Sequence, residues 1–538
     1  MKATKNAQPV SASHNENVTS LHTTLVNEAR TPKGLIVGGK YRDELSEEHT
    51  QHYDSSLLQE VDVDIPLTAT KPKQHDGQDF IVLDFVDGDK ENPFNWSSGR
   101  KAFISTLLCL MTLFIGLATT AYSSGISRMA ADLGTSEEIG KLGLFTFNFT
   151  CALAPLFLAP FCELAGRRVI YVGAYVCFCL MFIGLALGKN IATILVCRAL
   201  LGLFGCVGTI LVGGTFGDMY TPEHRAIPMA CFAFIAILGT VGAPIYAGFI
   251  DQALGWRWLE GIQGLANIPL GIVIAICLPE TRGSVCLSKR AKKIRQSTGD
   301  DRFVTHNDIE APGLKHMLHN SSVKAVKMLF TEPVVFAFGL WISFAWFLTF
   351  LFLSVIPITF QEKRGWNEGV SGLPYISLCL GTTIGFGLNF LQIRKYKSLT
   401  SDPNIEIAPE ARLYGALCGA VWLPIVRGSP WIGPVIGLAL ITIGIFFIFE
   451  SCYSYTADCY GEHSSSAIAG QGFMRNTLGA VSPLFASQFF HNMGSQYAGL
   501  LLAMVATVLT FIPFILFKFG PALRARSRLA SATVNGTN

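Results

Sequence analysis

Glu163, Arg167 and Arg168 crowd one short connection, FCELAGRRVIY (Phe161–Tyr171), with Gly166 between the acid and the bases. These side chains at this spacing do ion pairing rather than bond-making. Glu163 can pair with Arg167 or Arg168, or meet a charge at the end of another segment such as Arg225. Gly166 lets the chain turn sharply. An exposed pair is worth only about 0–1 kcal/mol, so the group needs several partners or partial burial to act as a latch. The plainer reading is topological: the arginines hold the connection on one side of a membrane.

Other ionisable residues lie inside apolar runs: Arg198 in RALLGLFG, Glu450 in IFFIFESCY and Arg475 in GFMRNTLGA. A charge that deep is functional by default. The structural alternative for Arg198 is a guanidinium that caps carbonyls of a neighbouring helix. Asp218 and Asp458 close two similar segments, FGDMYTPEHRA and TADCYGEHSSSA. Glu450, Asp458, Glu163 and Asp218 are the carboxylates that could carry a proton, and Glu450 stands out by its place in an apolar run. No nucleophile–base pattern, phosphate loop or metal-ligand spacing stands out, so no catalytic residue, metal or cofactor is expected and the chain does not read as an enzyme. The 14 cysteines are scattered, most of them in apolar runs, and read as small buried hydrophobes. A net charge of +3 is no footprint of a nucleic-acid binder.

The elements that must position these residues follow from composition. The 538 residues are 50% hydrophobic and 15% charged, against about 25% charged in a soluble domain. Between short charged clusters run uncharged stretches of about 20 residues, long enough to span a bilayer as helix. The expected spans are Ala102–Tyr122, Ile139–Phe161, Val169–Leu187, Ile191–Gly214, Ile227–Ile250 and Trp258–Leu278. After a polar stretch, Pro279–Met328, come Val334–Ile358, Ser371–Leu391, Leu413–Val426, Ile432–Tyr453, Ile468–Phe490 and Ala498–Phe517. This divides the chain into a polar tail expected to be disordered (1–95), a first bundle (96–280), a central loop (281–328), a second bundle (329–518) and a short tail (519–538). The first apolar run must serve as its own insertion signal.

Lys and Arg set the orientation. With the N-terminus inside, the inner face holds Arg100, Lys101, Arg167, Arg168, Arg225, the run SKRAKKIR, Arg394, Lys395, Lys397, Arg524, Arg526 and Arg528. The outer face holds fewer. Both termini are therefore expected in the cytoplasm, as are the sequons at Asn17, Asn95, Asn320 and Asn535, none of which should be glycosylated.

The two halves echo each other. Asp218-x-Tyr220 with Glu223-His224 matches Asp458-x-Tyr460 with Glu462-His463, allowing a one-residue gap. With six spans on each side, this fits a transporter built from two parallel repeats. Over about Asn92–Gly520 the chain resembles the major facilitator superfamily. The family's second-to-third loop carries a signature close to G-x-x-x-D-x-x-G-R-R, and here Ala159 stands for the first glycine and Glu163 for the acid. Arg198 with Gly202 and Gly205, and GTVGAPIYAGFI with Gly239, Pro244 and Gly248, resemble motifs of the drug:proton antiporter branch. Ala243 and Ala247 replace two of that second motif's glycines. NPFNW, GWRW, LPETR, LFTEP and PEARL, in this order, are similar to fungal twelve-span multidrug and polyamine transporters.

The resemblance implies an all-α membrane protein with twelve transmembrane helices in two six-helix pseudo-symmetric bundles. It implies a midplane cavity, and this sequence offers Tyr122, Arg198, Tyr246, Trp341, Trp346, Glu450, Tyr453 and Arg475 to it. It associates Arg198 with proton coupling, and Glu163, Gly166, Arg167, Arg168, Asp218 and Asp458 with coupling or gating. A polyamine would want several cavity carboxylates, so an anionic or neutral metabolite or a mixed set of drugs fits better. The expected activity is proton-coupled export of small organic molecules by a monomer in the fungal plasma membrane, with the vacuolar membrane as the other location. An importer or polyamine transporter, and a sensor with a transporter fold, are the alternatives.

Overall fold

The computed structural model describes residues 67–75, 78–86, 88–221, 224–306, 308, 314–400, 432–460 and 464–527. Apolar runs of bilayer length become helices because a helix satisfies its own backbone without water. In the first half these are α1 (Ser98–Ala121), the short α2 (Ile126–Asp132), α3 (Glu137–Ala165), α4 (Arg167–Leu187), α5 (Ile191–Cys206), α6 (Val212–Met219), α7 (Ala226–Gly242), α8 (Pro244–Leu254) and α9 (Trp256–Cys277). Ser97, Ser136 and Asn190 cap α1, α3 and α5, each accepting a backbone N–H of the first turn. A single π-turn, Val207–Leu211, joins α5 to α6 within the fourth span. The fifth span is interrupted where Pro244, which lacks a backbone N–H, starts α8.

The central stretch contributes α10 (Gly283–Thr298) and α11 (Leu314–Thr331). The second half follows as α12 (Pro333–Pro357), α13 (Tyr375–Thr400), α14 (Ile432–Tyr460), α15 (Ser464–Met493) and α16 (Ser495–Arg526). Among the described residues 10 helical segments are long and apolar enough to cross a membrane. With α15, whose apolar run is broken by Gln471, Arg475 and Asn476, they occupy every expected span but the ninth. That span, Leu413–Val426, lies outside the described residues.

Two features depart from the sequence reading. The stretch 67–95 is not disordered throughout: β1 (Leu67–His75) and β2 (Gln78–Phe85) form an antiparallel hairpin. Within the central stretch β3 (Phe303–Thr305) pairs parallel to β2, outside the membrane-spanning helices of this all-α membrane fold. The apolar residues of DFIVLDF explain this. Val82 and Leu83 are buried, and Leu83 packs with Ala291 and Ile294 of α10. Arg290 of α10 then pairs with Asp89 at 2.5 Å and Glu91 at 2.8 Å. The basic run SKRAKKIR is thus a helix with one side packed and Lys289, Lys292 and Lys293 exposed.

Each half has its own apolar core, around Tyr171, Phe178 and Phe216 in the first and Phe338, Trp341 and Tyr455 in the second. The halves meet where α3 runs along α15 and α7 along α13, with Phe234 stacked on Phe386 at 4.7 Å. Within the first half, α5 reaches α3 through Gly202, where an added Cβ would collide with the Phe147 carbonyl and the Thr150 hydroxyl. Gly202→Val should therefore lower the thermal midpoint of the detergent-solubilised protein by the equivalent of about 1–3 kcal/mol. Gly261→Val, with open space around it, should leave the midpoint unchanged in the same assay.

Candidate functional site

The opening group of charges is built around a helix start. Gly166 adopts φ +94° between α3 and α4, a backbone that L side chains rarely take. The Glu280 carboxylate occupies the space its Cβ would fill. Glu280 accepts from the backbone N–H groups of Arg167 (2.8 Å) and Arg168 (3.3 Å), where an anion at a helix N-terminus is stabilising. Arg167 is buried and donates through Nε to Asp218 Oδ2 at 2.9 Å. Arg282 donates to the other oxygen of Asp218, also at 2.9 Å. Arg168 is exposed and reaches the Ala275 carbonyl at 3.1 Å. Among the described residues every partner belongs to the first half, so this clasp ties the second-to-third connection to the ends of the fourth and sixth spans. The side chains of Glu163 and Asp458 lie outside the described residues. Glu280 and Arg282 belong to LPETR, which the sequence reading quoted without a role.

Arg198 is completely buried, and its donors go to backbone. Nε meets the Gly143 carbonyl at 3.3 Å, Nη1 that of Ala118 at 3.1 Å and Nη2 that of Thr119 at 2.8 Å. The guanidinium lies over the rings of Tyr122 (4.3 Å) and Phe147 (4.8 Å). It therefore joins the ends of the first and second spans, as the carbonyl-capping alternative has it. Its charge also acts on Glu260 of α9, which is 3% exposed and whose Oε2 has no hydrogen-bond partner among the described residues. Glu260 escaped the sequence reading although it is a carboxylate inside the sixth span, the one signal that could have found it. Nearby, Tyr122 donates to the Gly140 carbonyl (2.9 Å), and Gln263 donates to the Tyr246 hydroxyl (2.5 Å).

A cavity lies between the halves. Its first-half walls include Thr119, Phe147, Asn148 and Phe232; Trp346, Phe350, Phe449, Tyr453, Arg475 and Asn476 come from the second half. Of the residues proposed for it, Trp346, Tyr453 and Arg475 line it, whereas Tyr122, Arg198, Tyr246, Trp341 and Glu450 do not. Trp341 is packed beside Phe338, and Glu450 is buried and accepts from Ser454 Oγ at 3.0 Å. Arg475 donates from Nη1 to the Tyr453 hydroxyl and from Nε to Asn476 Oδ1 at 3.1 Å. It sits over Trp346 (5.0 Å) and Phe449 (5.4 Å).

At the end away from Arg167 the halves touch closely. Gly248 of α8 abuts the Glu368 carbonyl of the second half, and Gly372 of the second half abuts the Pro244 carbonyl of the first. An ion group seals this contact. Arg128 donates to the Asp251 carbonyl (2.6 Å) and to the Glu368 carboxylate (2.8 Å), and faces the buried Asp251 carboxylate at 3.3 Å. Lys141 bridges Glu138 (2.9 Å) and Ser487 of α15 (2.6 Å). No local spacing in the sequence pairs Arg128 with Asp251 and Glu368, or Lys141 with Ser487.

A sequence model of the Major Facilitator Superfamily matches residues 108–483. The chain belongs to that superfamily. It is 31% identical to the "Major facilitator superfamily multidrug transporter FLU1" of Candida albicans, over 82% of this chain and 75% of that one. It is 30% identical to "Efflux pump bik6" of Gibberella fujikuroi, over 85% and 97%. The "Ascochitine biosynthesis cluster MFS transporter" of Didymella fabae is 29% identical, over 82% and 88%. The proton:xylose symporter XylE bound to 6-bromo-6-deoxy-D-glucose superposes with a TM-score of 0.54 at 15% identity, covering 79% of this chain and 96% of that one. That likeness speaks to fold alone. This protein is thus an integral, multi-pass member of a transporter family, not an enzyme.

The clasp at Arg167 makes a stability prediction. Asp218→Asn leaves Arg167 and Arg282 facing a neutral group, and the loss of a buried partner should cost about 3 kcal/mol. Arg168→Ala, at an exposed position, should cost less than about 1 kcal/mol. Thermal unfolding of the two variants side by side checks both values.

Proposed function

We propose that this protein exports small organic molecules from a fungal cell in exchange for protons, by alternating access to the cavity between its halves. The observation that carries the reading is that one cavity takes its walls from both halves, so that rocking one half against the other opens it to either side. The names of the relatives support the outward direction. The inner excess of Lys and Arg supports cytoplasmic termini in the plasma membrane, and a single chain contains the whole cavity, in keeping with a monomer.

For the proton we assign Glu260 with Arg198. Arginine stays charged in proteins, so a proton on Glu260 switches this buried pair between neutral and singly positive. Arg198 grips the carbonyls of Ala118, Thr119 and Gly143, and both Thr119 and its ring neighbour Phe147 wall the cavity. Proton occupancy therefore reaches the wall through one guanidinium. The Arg167–Asp218–Arg282 clasp keeps the first half rigid while it moves.

Deletion of the gene in its host, with restoration by wild type, Glu260→Gln or Trp346→Ala, tests the reading by untargeted mass spectrometry of cells and medium. A compound should build up inside the deletion strain and leave the cells again only with wild type, although both variants reach the membrane. A compound left behind in the medium instead would make the protein an importer.

A further inference from the structure

We infer that the cavity takes an organic anion: an acidic group on Arg475, with a planar apolar body among the surrounding rings. The inference rests on the transport reading above only in taking this cavity as the substrate's place. Three observations carry it.

The first is charge. Among the described residues that wall the cavity, Arg475 is the one charged side chain, and no carboxylate is among them. A cation entering would meet an uncompensated positive charge in an apolar setting, where like charges are costly. A polycation would find nothing to pair with.

The second is the state of Arg475 itself. The residue is 5% exposed, yet no carboxylate pairs with it among the described residues. Nε and Nη1 are taken by neutral oxygens of Asn476 and Tyr453, and among the described residues Nη2 has no acceptor. The rings of Trp346 and Phe449 hold the guanidinium in place but do not neutralise it. A buried cation normally has a counter-ion, and here the protein leaves one arm of a rigid donor fork for it. Glu450, the carboxylate on the same helix as Tyr453, is not a wall residue and accepts from Ser454 instead.

The third is convergence. The Tyr453 oxygen accepts from Arg475, which leaves its own proton to donate. Nη2 and this O–H offer two donors to one anionic group, the arrangement that recognises a carboxylate. Phe147, Phe232 and Phe350 supply apolar faces for the rest of the molecule.

Equilibrium dialysis of the purified full chain in detergent tests this with three probes of one shape: 2-naphthoate, neutral 2-naphthamide and the 2-naphthylmethylammonium cation. The anion should bind most tightly. Arg475→Gln should weaken naphthoate by about tenfold or more and the amide far less, and the amide binding that remains reports an intact cavity. Arg475→Lys should lose part of that affinity, since it keeps the charge but not the fork. Amide or ammonium binding as tightly as naphthoate, no binding of naphthoate above the micelle control, or wild-type naphthoate affinity in Arg475→Gln would each overturn the inference. No gradient is involved, so anion binding together with failed export would sink the transport reading and leave this one standing.

Discussion

The contact between the two halves sets what the rest of the molecule can do. Two apolar bundles must touch closely enough to seal a bilayer and still part. Small residues make the approach possible at one end: Gly248 against the backbone at Glu368, and Gly372 against the Pro244 carbonyl. Arg128 then sits at the junction, bonded to the end of the fifth span and to Glu368 of the other half. Nearer the Arg167 end the halves meet through stacked rings, Phe234 on Phe386. Directional ion pairs at one end and non-directional apolar contact toward the other form an interface that can break in steps.

Within that frame, buried charge is answered in different ways. Arg167 is answered by Asp218 and belongs to a clasp that stays inside the first half. Arg198 is answered by three carbonyls and by the charge of Glu260. Among the described residues Arg475 is answered by neutral groups and rings, and it alone of the three lines the cavity. A completed charge builds structure, and an incomplete one invites a ligand. Trp346 is on the wall, whereas Trp341, five residues earlier on the same helix, is packed beside Phe338 in the core.

Much of the fold was legible in the sequence because bilayer-length apolar runs admit few alternatives; the described helices start within about four residues of the expected positions, although α13, α14 and α16 run on well past their expected ends. Gly166 and Pro244 were readable for the same reason, since each acts on its own backbone. Trp346, Tyr453 and Arg475 were placed by the resemblance. Glu280, Glu260 and the Arg128–Asp251–Glu368 group were not found as partners, because their meaning lies in neighbours more than about 60 residues away in the chain. Tyr122 and Arg198 belong to the first and fourth spans, which wall the cavity through other residues such as Thr119 and Thr209, but both side chains pack inside the first half, a rotation that residue type does not encode. The hairpin at Leu67–Phe85 was hidden by the polar composition around it, since its strand partner lies beyond the sixth span.

The most direct test of the account asks whether the halves must part at the Arg128 junction. Cysteines placed at Arg128 and Glu368 can be joined by a short reversible cross-link, with export measured before and after reduction. The account predicts that the cross-linked protein is silent and that reduction restores its export. A cross-linked protein that exports as fast as the reduced one would show that this contact never opens, and alternating access through this interface would be wrong.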